Sequence, residues 1–253
     1  MKLLRGLLAV GALIGIMASG VFADELKVGG GGAAINSIFK PIEAPFEKAS
    51  GINLVLLQST PKNGIIDLWK GSLDAATAAV SLEGMVSGAQ KDGVQVDASA
   101  LKSTEVGKNL TVVFVHKDNP VSSLSKDQLK GIFTGKIANW KEVGGKDSPI
   151  IVVWGKNSPG QNALFTKVIL DGEAVTKDIL ETTDYAGIKE NVASNPEGIG
   201  IDPLGMADGT VKAIKPTPEV SSPVIVVTKG APSPNIQKLI DFIKGEGQKY
   251  IKQ

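Results

Sequence analysis

Apolar positions along the chain alternate between short runs of strand length and segments with helical spacing. Leu26-Lys27-Val28 reads as a strand and is followed by glycines and alanines from 29 to 34. Apolar residues at Ile35, Ile38, Phe39, Ile42 and Phe46 predict a helix over 35–49, which Pro41 and Pro45 should bend or fragment and Ser50-Gly51 should stop. Residues 53–57 form an apolar run of strand length. Thr60-Pro61 then caps and opens a helix that buries Ile65, Ile66, Leu68 and Trp69. Residues 74–80, small and apolar, supply a third strand. This β-α-β-α-β order predicts a parallel sheet covered by helices.

A second unit of the same kind follows. Residues 110–115 are a strongly β-branched strand, and Ser125-Lys126-Asp127-Gln128 is a capping box opening a helix to Phe133. A strand at 150–154, a helix at 161–170 and a helix at 186–193 ending at Asn195-Pro196 come next. Short strands are expected at 198–201 and 211–214, and another apolar strand at 223–228. One amphipathic helix over 233–251 turns Ile236, Leu239, Ile240, Phe242 and Ile243 inward. No repeat of 20–50 residues is visible.

The extreme N-terminus follows a different rule. Lys2 and Arg5 precede an apolar run over 7–17, and Val21-Phe22-Ala23 places small residues where a signal peptidase reads. Residues 1–23 are therefore expected to be a secretory signal peptide cleaved before Asp24. Eleven apolar residues fall far short of the roughly 20 that span a bilayer. The expected location is periplasmic or otherwise extracytoplasmic, with no stable membrane insertion after the signal is removed. Cleavage would turn the formal net charge of +1 into −1 and remove Arg5, the only arginine in the chain. All other basic side chains except His116 are lysines, which are point charges and not planar forks that grip an anion at two points.

Composition removes whole classes of chemistry. There is no cysteine, which excludes disulfides, thiolate metal sites, iron–sulfur clusters and a Cys nucleophile. A single histidine excludes a multi-His metal site. Near-zero net charge gives no nucleic-acid footprint. Gly29-x-Gly31-x-x-Ala34 fits a loose dinucleotide fingerprint, but the second strand ends in Leu57-Gln58 without the acid that would hold a ribose, so no cofactor is expected. No Gly-x-Ser-x-Gly elbow is present, and His116, entering the turn Lys117-Asp118-Asn119-Pro120, reads as structural or as a surface residue. No nucleophile–base pair is visible and no enzyme is expected.

Several segments together resemble the phosphate-type (PstS-like) periplasmic solute-binding proteins of ATP-driven importers. The run Phe133-Thr134-Gly135-Lys136-Ile137-Ala138-Asn139-Trp140-Lys141-Glu142-Val143-Gly144-Gly145 is the most specific. Val113-Phe114-Val115-His116-Lys117-Asp118-Asn119-Pro120-Val121, Asn195-Pro196-Glu197-Gly198-Ile199-Gly200 and Val226-Val227-Thr228-Lys229-Gly230 support it. The resemblance implies an α/β, two-lobed periplasmic-binding-protein (type II) fold, each lobe a mixed, mostly parallel sheet flanked by helices, with two hinge crossings near 110–115 and 223–228. Lobe one would comprise 24–110 plus 224–253 and lobe two 111–223. A small ligand would be captured in the inter-lobe cleft and delivered to a membrane permease of an ABC-type importer.

The binding loops implied by this resemblance depart from the family pattern. Where the family carries Gly-Ser-Thr-Thr this chain has Gly31-Gly32-Ala33-Ala34. Gly-Ser-Gly-x-Gly is replaced by Thr60-Pro61-Lys62-Asn63-Gly64, and the third strand ends with Ala79-Val80-Ser81. Gly-Ser-Gly-Thr-Arg is replaced by Ser158-Pro159-Gly160-Gln161-Asn162, preceded by Lys156 and Asn157. The candidate ligand-binding residues are therefore Gly31, Gly32, Ala33, Ala34, Thr60, Lys62, Asn63, Ala79, Ser81, Asn157, Ser158, Gly160, Gln161 and Asn162. Each lost charge-assisted bond to a dianion removes about 1.5–3 kcal/mol. Phosphate or another oxyanion is the family default. The loops favour a less charged ligand, or a sensory or protein-interaction role with no transported ligand. Trp154 is read either as an apolar ligand contact or as core.

Overall fold

A computed structural model describes residues 24–252 of the chain; the expected signal segment lies outside them. β1 (Glu25–Gly31) runs further into the glycine cluster than the apolar pattern predicts. It pairs in parallel with β2 (Asn53–Ser59) on one edge and β3 (Ala75–Ala78) on the other. The first helix begins immediately, at Gly32. It is continuous from 32 to 50: α1 (Gly32–Ala34), a π-helical turn (Ile35–Phe39) and α2 (Lys40–Ser50). The prolines do not break it. The Lys40 N–H donates to Ile35 O, five residues back, so the register is already widened just where Pro41 withholds its donor. Gly51, in the left-handed region at φ 71°, ends the helix.

α3 (Pro61–Trp69) and α4 (Leu82–Lys91) are capped by Thr60 and Ser81, whose hydroxyls accept from the Asn63 and Gly84 N–H groups. β4 (Leu101–His116) is sixteen residues long, more than twice the strand that the apolar run predicts. Its first half is polar and half exposed, and antiparallel pairing with β9 (Val220–Lys229) holds it, from Leu101↔Lys229 to Thr111↔Val220. Its second half lies between β7 (Gly198–Pro203) and β8 (Val211–Ile214), with Val112 opposite Asp202 and Val113 opposite Ile214. β4 and β9 are thus the two strands that run from one lobe into the other.

Between them lie α5 (Lys126–Phe133), with both bonds of its Ser125/Gln128 capping box, β5 (Ile151–Gly155), α6 (Pro159–Val168), β6 (Ile179–Thr182) and α7 (Tyr185–Ser194). β6, not predicted, presents a half-exposed pattern and is fixed by parallel pairing with β5. The strands form one mixed sheet ordered β2-β1-β3-β9-β4-β7-β5-β6, with β8 also on β4. The C-terminal helix is shorter than predicted: α8 (Pro234–Lys244) ends at Gly245, and a 3₁₀ segment Glu246–Tyr250 replaces its last turns.

The apolar core falls into separate clusters on either side of this sheet. In the first lobe, the π-helical turn, α2 and α8 cover one face through Ile38, Phe46, Leu239 and Ile243, while α3 and α4 cover the other through Ile65, Leu68 and Met85. In the second lobe, α5 and α6 cover one face and α7 the other. The two alternatives for Trp154 are resolved here. Its ring packs 5.9 Å from Phe133 and 6.4 Å from Phe165, so it belongs to the core. Among the described residues no helix is long and apolar enough to cross a membrane.

Candidate ligand-binding cleft

Two helix N-termini face each other between the lobes. The helical run from 32 starts without a side-chain cap at Gly31, so its first N–H groups have no protein partner from a capping side chain. α6 likewise starts uncapped, because the Ser158 hydroxyl lies 3.1 Å from Gly155 O and turns inward on its own loop. A narrow cavity of about 30 Å³ separates these ends. Its wall combines Gly31, Gly32, Ala33, Ser59, Thr60, Pro61, Ala79 and Val80 from the first lobe with Asn157, Pro159, Gly160, Gln161, Leu164 and Tyr185 from the second. The crossing strands close it with Asn109 and Thr111 of β4 and Ser222 of β9. No lining residue carries a charge at neutral pH.

Of the sequence candidates, Gly31, Gly32, Ala33, Thr60, Ala79, Asn157, Gly160 and Gln161 line this cavity. The others do not. Ala34 is fully buried behind it. Lys62 pairs with Asp92 at 2.5 Å, and Lys156 pairs with Glu181 at 3.2 Å, so both lysines are drawn out of the cleft. Asn63 offers its backbone N–H to Thr60, and Ser81 caps α4. Ser158 and Asn162 satisfy Gly155 O and each other. His116, expected to be structural or at the surface, accepts the Asp118 N–H on Nδ1 at 3.2 Å.

The lining residues that the loops did not point to are on the crossing strands and α7. Asn109 and Thr111 stand two apart, on one face of β4, immediately before an apolar run. Two polar residues at that spacing are the signal that singles them out. Asn109 is 2% exposed, Thr111 1% and Gln161 5%, and Asn109 Oδ1, Thr111 Oγ1 and Gln161 Oε1 all lack a hydrogen-bond partner. Buried polar atoms are ordinarily paired, and each one left unmade costs about 1–3 kcal/mol. Three such atoms around one cavity mark a place where something else supplies the partner.

Behind the second-lobe wall lies a buried acid. Asp202, at the cleft end of β7, is fully buried and neither carboxylate oxygen has a partner. Burial raises its pKa well above 3.8, the nearby Asp184 carboxylate raises it further, and Lys189 offsets part of this. Burial, with the Asp202 charge second, also raises the Tyr185 hydroxyl. The folded Asp202 keeps its proton at pH values where the unfolded chain has released it. Its contribution therefore favours folding at low pH and is lost progressively as pH rises above the ordinary carboxylate range. Asp202→Asn is expected to flatten that decline and raise the melting temperature near neutral pH. Melting curves of both proteins across pH check it; an unchanged slope would refute this role for Asp202.

Two α/β lobes joined by two long strands around a cleft are the architecture of the periplasmic-binding-protein fold. The PBP superfamily domain matches residues 22–245, and the chain belongs to that family. The phosphate-binding protein PstS of Bacillus subtilis (strain 168) is 31% identical over 178 residues, 70% of this chain and 56% of that protein. PstS of Staphylococcus aureus (strain USA300) is 31% identical over 114 residues, 44% of this chain and 34% of its own. The matches thus span about half and a third of these relatives' lengths. A phosphate ABC transporter substrate-binding protein of Clostridium perfringens, solved with bound phosphate, superposes with a TM-score of 0.72 at 26% identity, over 90% of this chain and 96% of that one. These relatives are binding proteins of transport systems, not enzymes.

Proposed function

We propose that the chain is an extracytoplasmic solute-binding protein of an ABC-type importer that closes its two lobes on a small ligand and presents it to a membrane permease. The lobes are 24–110 with 224–253, and 111–223, and residues 1–23 are the export signal. The observation that carries this reading is the cavity between the lobes. Both lobes and both crossing strands contribute to its wall, two uncapped helix ends face it, and three buried polar atoms there lack protein partners. Its uncharged wall and the backbone N–H groups at its two helix ends are compatible with a small oxyanion, the ligand class named for the relatives. Backbone N–H groups at helix N-termini bind such ions without a cationic side chain.

A saturating ligand stabilises the folded chain by about 2.7 kcal/mol at 100 times its dissociation constant. For a chain of this size that is a rise of roughly 5–10 °C in melting temperature. Phosphate is expected to give it. If phosphate, sulfate, molybdate, simple carboxylates and amino acids all leave the melting curve in place, the receptor reading fails.

A further inference from the structure

A second contact joins the lobes away from the cavity. Its first-lobe side is the π-helical turn. Lys40 donates to Ile35 O, and Pro41 has no N–H, so the Asn36 carbonyl receives neither of the donors that a helix would give it. Asn36 and Ser37 are buried, and the Asn36 amide is tied down by donating to Gly32 O at 2.9 Å and to Gln58 Oε1 at 3.0 Å. Against this turn lies the second-lobe segment 204–207. A Cβ on Gly205 would stand 2.8 Å from both Asn36 O and Ser37 Cα. These are backbone atoms that no change of rotamer can move, so only a hydrogen fits between the two main chains.

Each side is braced within its own lobe. Leu204, Met206 and Ala207 pack against Phe114, Ile188 and Val192, and Asp208 accepts from Lys189 Nζ and from the Thr210 N–H, both at 2.9 Å. The C-terminal segment of the first lobe reaches over to the same place. Ile251 is buried in the core with α2 and α8, and Lys252 Nζ donates to Ala207 O. None of these residues lines the cavity. Rotating one lobe against the other must drag 204–207 across the turn, and main chains packed this closely leave no slack for it.

We propose that segment 204–207 is a latch: seated on the π-helical turn and pinned by Lys252, it stabilises the closed arrangement of the lobes independently of any ligand. Gly205 and Lys252 are then positioning residues that raise affinity through the closed fraction, without touching what is bound. The effect on affinity rests on the receptor reading above; the latch itself does not.

The chain has no cysteine, so spin labels at Lys48→Cys and Lys177→Cys, exposed positions on different lobes, report the inter-lobe distance by pulsed electron spin resonance. Titration calorimetry with phosphate reports affinity. Gly205→Ala should move the ligand-free distances toward open lobes and weaken phosphate binding roughly tenfold or more, with the ligand-free melting temperature nearly unchanged. Lys252→Met removes one surface hydrogen bond. It should shift both readings the same way, with affinity down roughly two- to threefold, and Lys252→Arg should restore them. Unmoved distances in both variants overturn the latch, whether or not binding weakens. A lower melting temperature with distances and affinity intact also overturns it, as the mark of ordinary packing. Should Gly205→Ala fail to fold, Lys252→Met decides by the same readings. Distances that shift while phosphate affinity holds overturn the role in binding. Distances that shift in a protein that binds none of the wider ligand series uphold the latch and overturn the receptor reading.

Discussion

Gly30→Ala is expected to lower the unfolding free energy by about 3–5 kcal/mol. Gly30 has φ 132°, a conformation that an L side chain rarely adopts. It also lies at the β1–β3 pairing, opposite Thr77. A Cβ there would stand 2.3 Å from Thr77 O, a backbone atom that cannot move without unpairing the sheet. From the other side, a Cβ on Gly64 would stand 2.6 Å from the Gly30 Cα, so the first turn of α3 rides directly on β1. Neither contact can be relieved by turning a side chain. Because this packing sets where Thr60 and Pro61 meet the cavity, residual folded protein should also bind more weakly. Denaturant unfolding measures the loss; one below about 1 kcal/mol would show that the strand end rearranges to accept a side chain.

Gly32→Val is expected to leave the fold intact and to weaken ligand binding at least tenfold, by roughly 1.4 kcal/mol or more. A Cβ at Gly32 would meet Tyr185 Cε2 at 2.8 Å and Gln58 Nε2 at 3.1 Å. Gly32 starts the first-lobe helix and Tyr185 starts α7 in the second lobe, so this contact exists only when the lobes are together. Leu204–Met206 makes a similar approach, with Gly205 against the backbone of Asn36 and Ser37 in the π-helical turn. A bulkier residue at 32 penalises closure through Tyr185, beside a smaller push on the flexible Gln58 side chain of its own lobe, and affinity falls by the fraction of closed protein lost. Tyr185→Ala in the same chain should restore part of the affinity. Undiminished binding by Gly32→Val would show that the ligand is held without this contact.

The capping box at Ser125 and Gln128, the Thr60 cap and the Gly51 stop were legible because each is local: its donors, acceptors and backbone angles lie within a few residues. The polar half of β4 was not. Lys102, Ser103 and Glu105 carry no apolar periodicity, and their strand exists because β9, more than a hundred residues later, offers a ladder. The helix over 35–49 was legible, whereas its passage through Pro41 depended on the π-helical turn before it.

The same division holds at the cleft. The alternating α/β order, the family resemblance, the loss of hydroxyl and guanidinium donors from the loops and the glycines that leave backbone N–H groups bare are all written in the order of residues. Which polar side chains face the cavity depends on how the chain packs. Packing withdrew Lys62 to Asp92 and turned Ser158 and Asn162 onto Gly155. It brought Asn109, Thr111 and Tyr185 to the wall from elements remote in the chain. The physical reason is that a residue type sets what hydrogen bonds a group can make, but whether those bonds are already taken depends on neighbours supplied by distant segments.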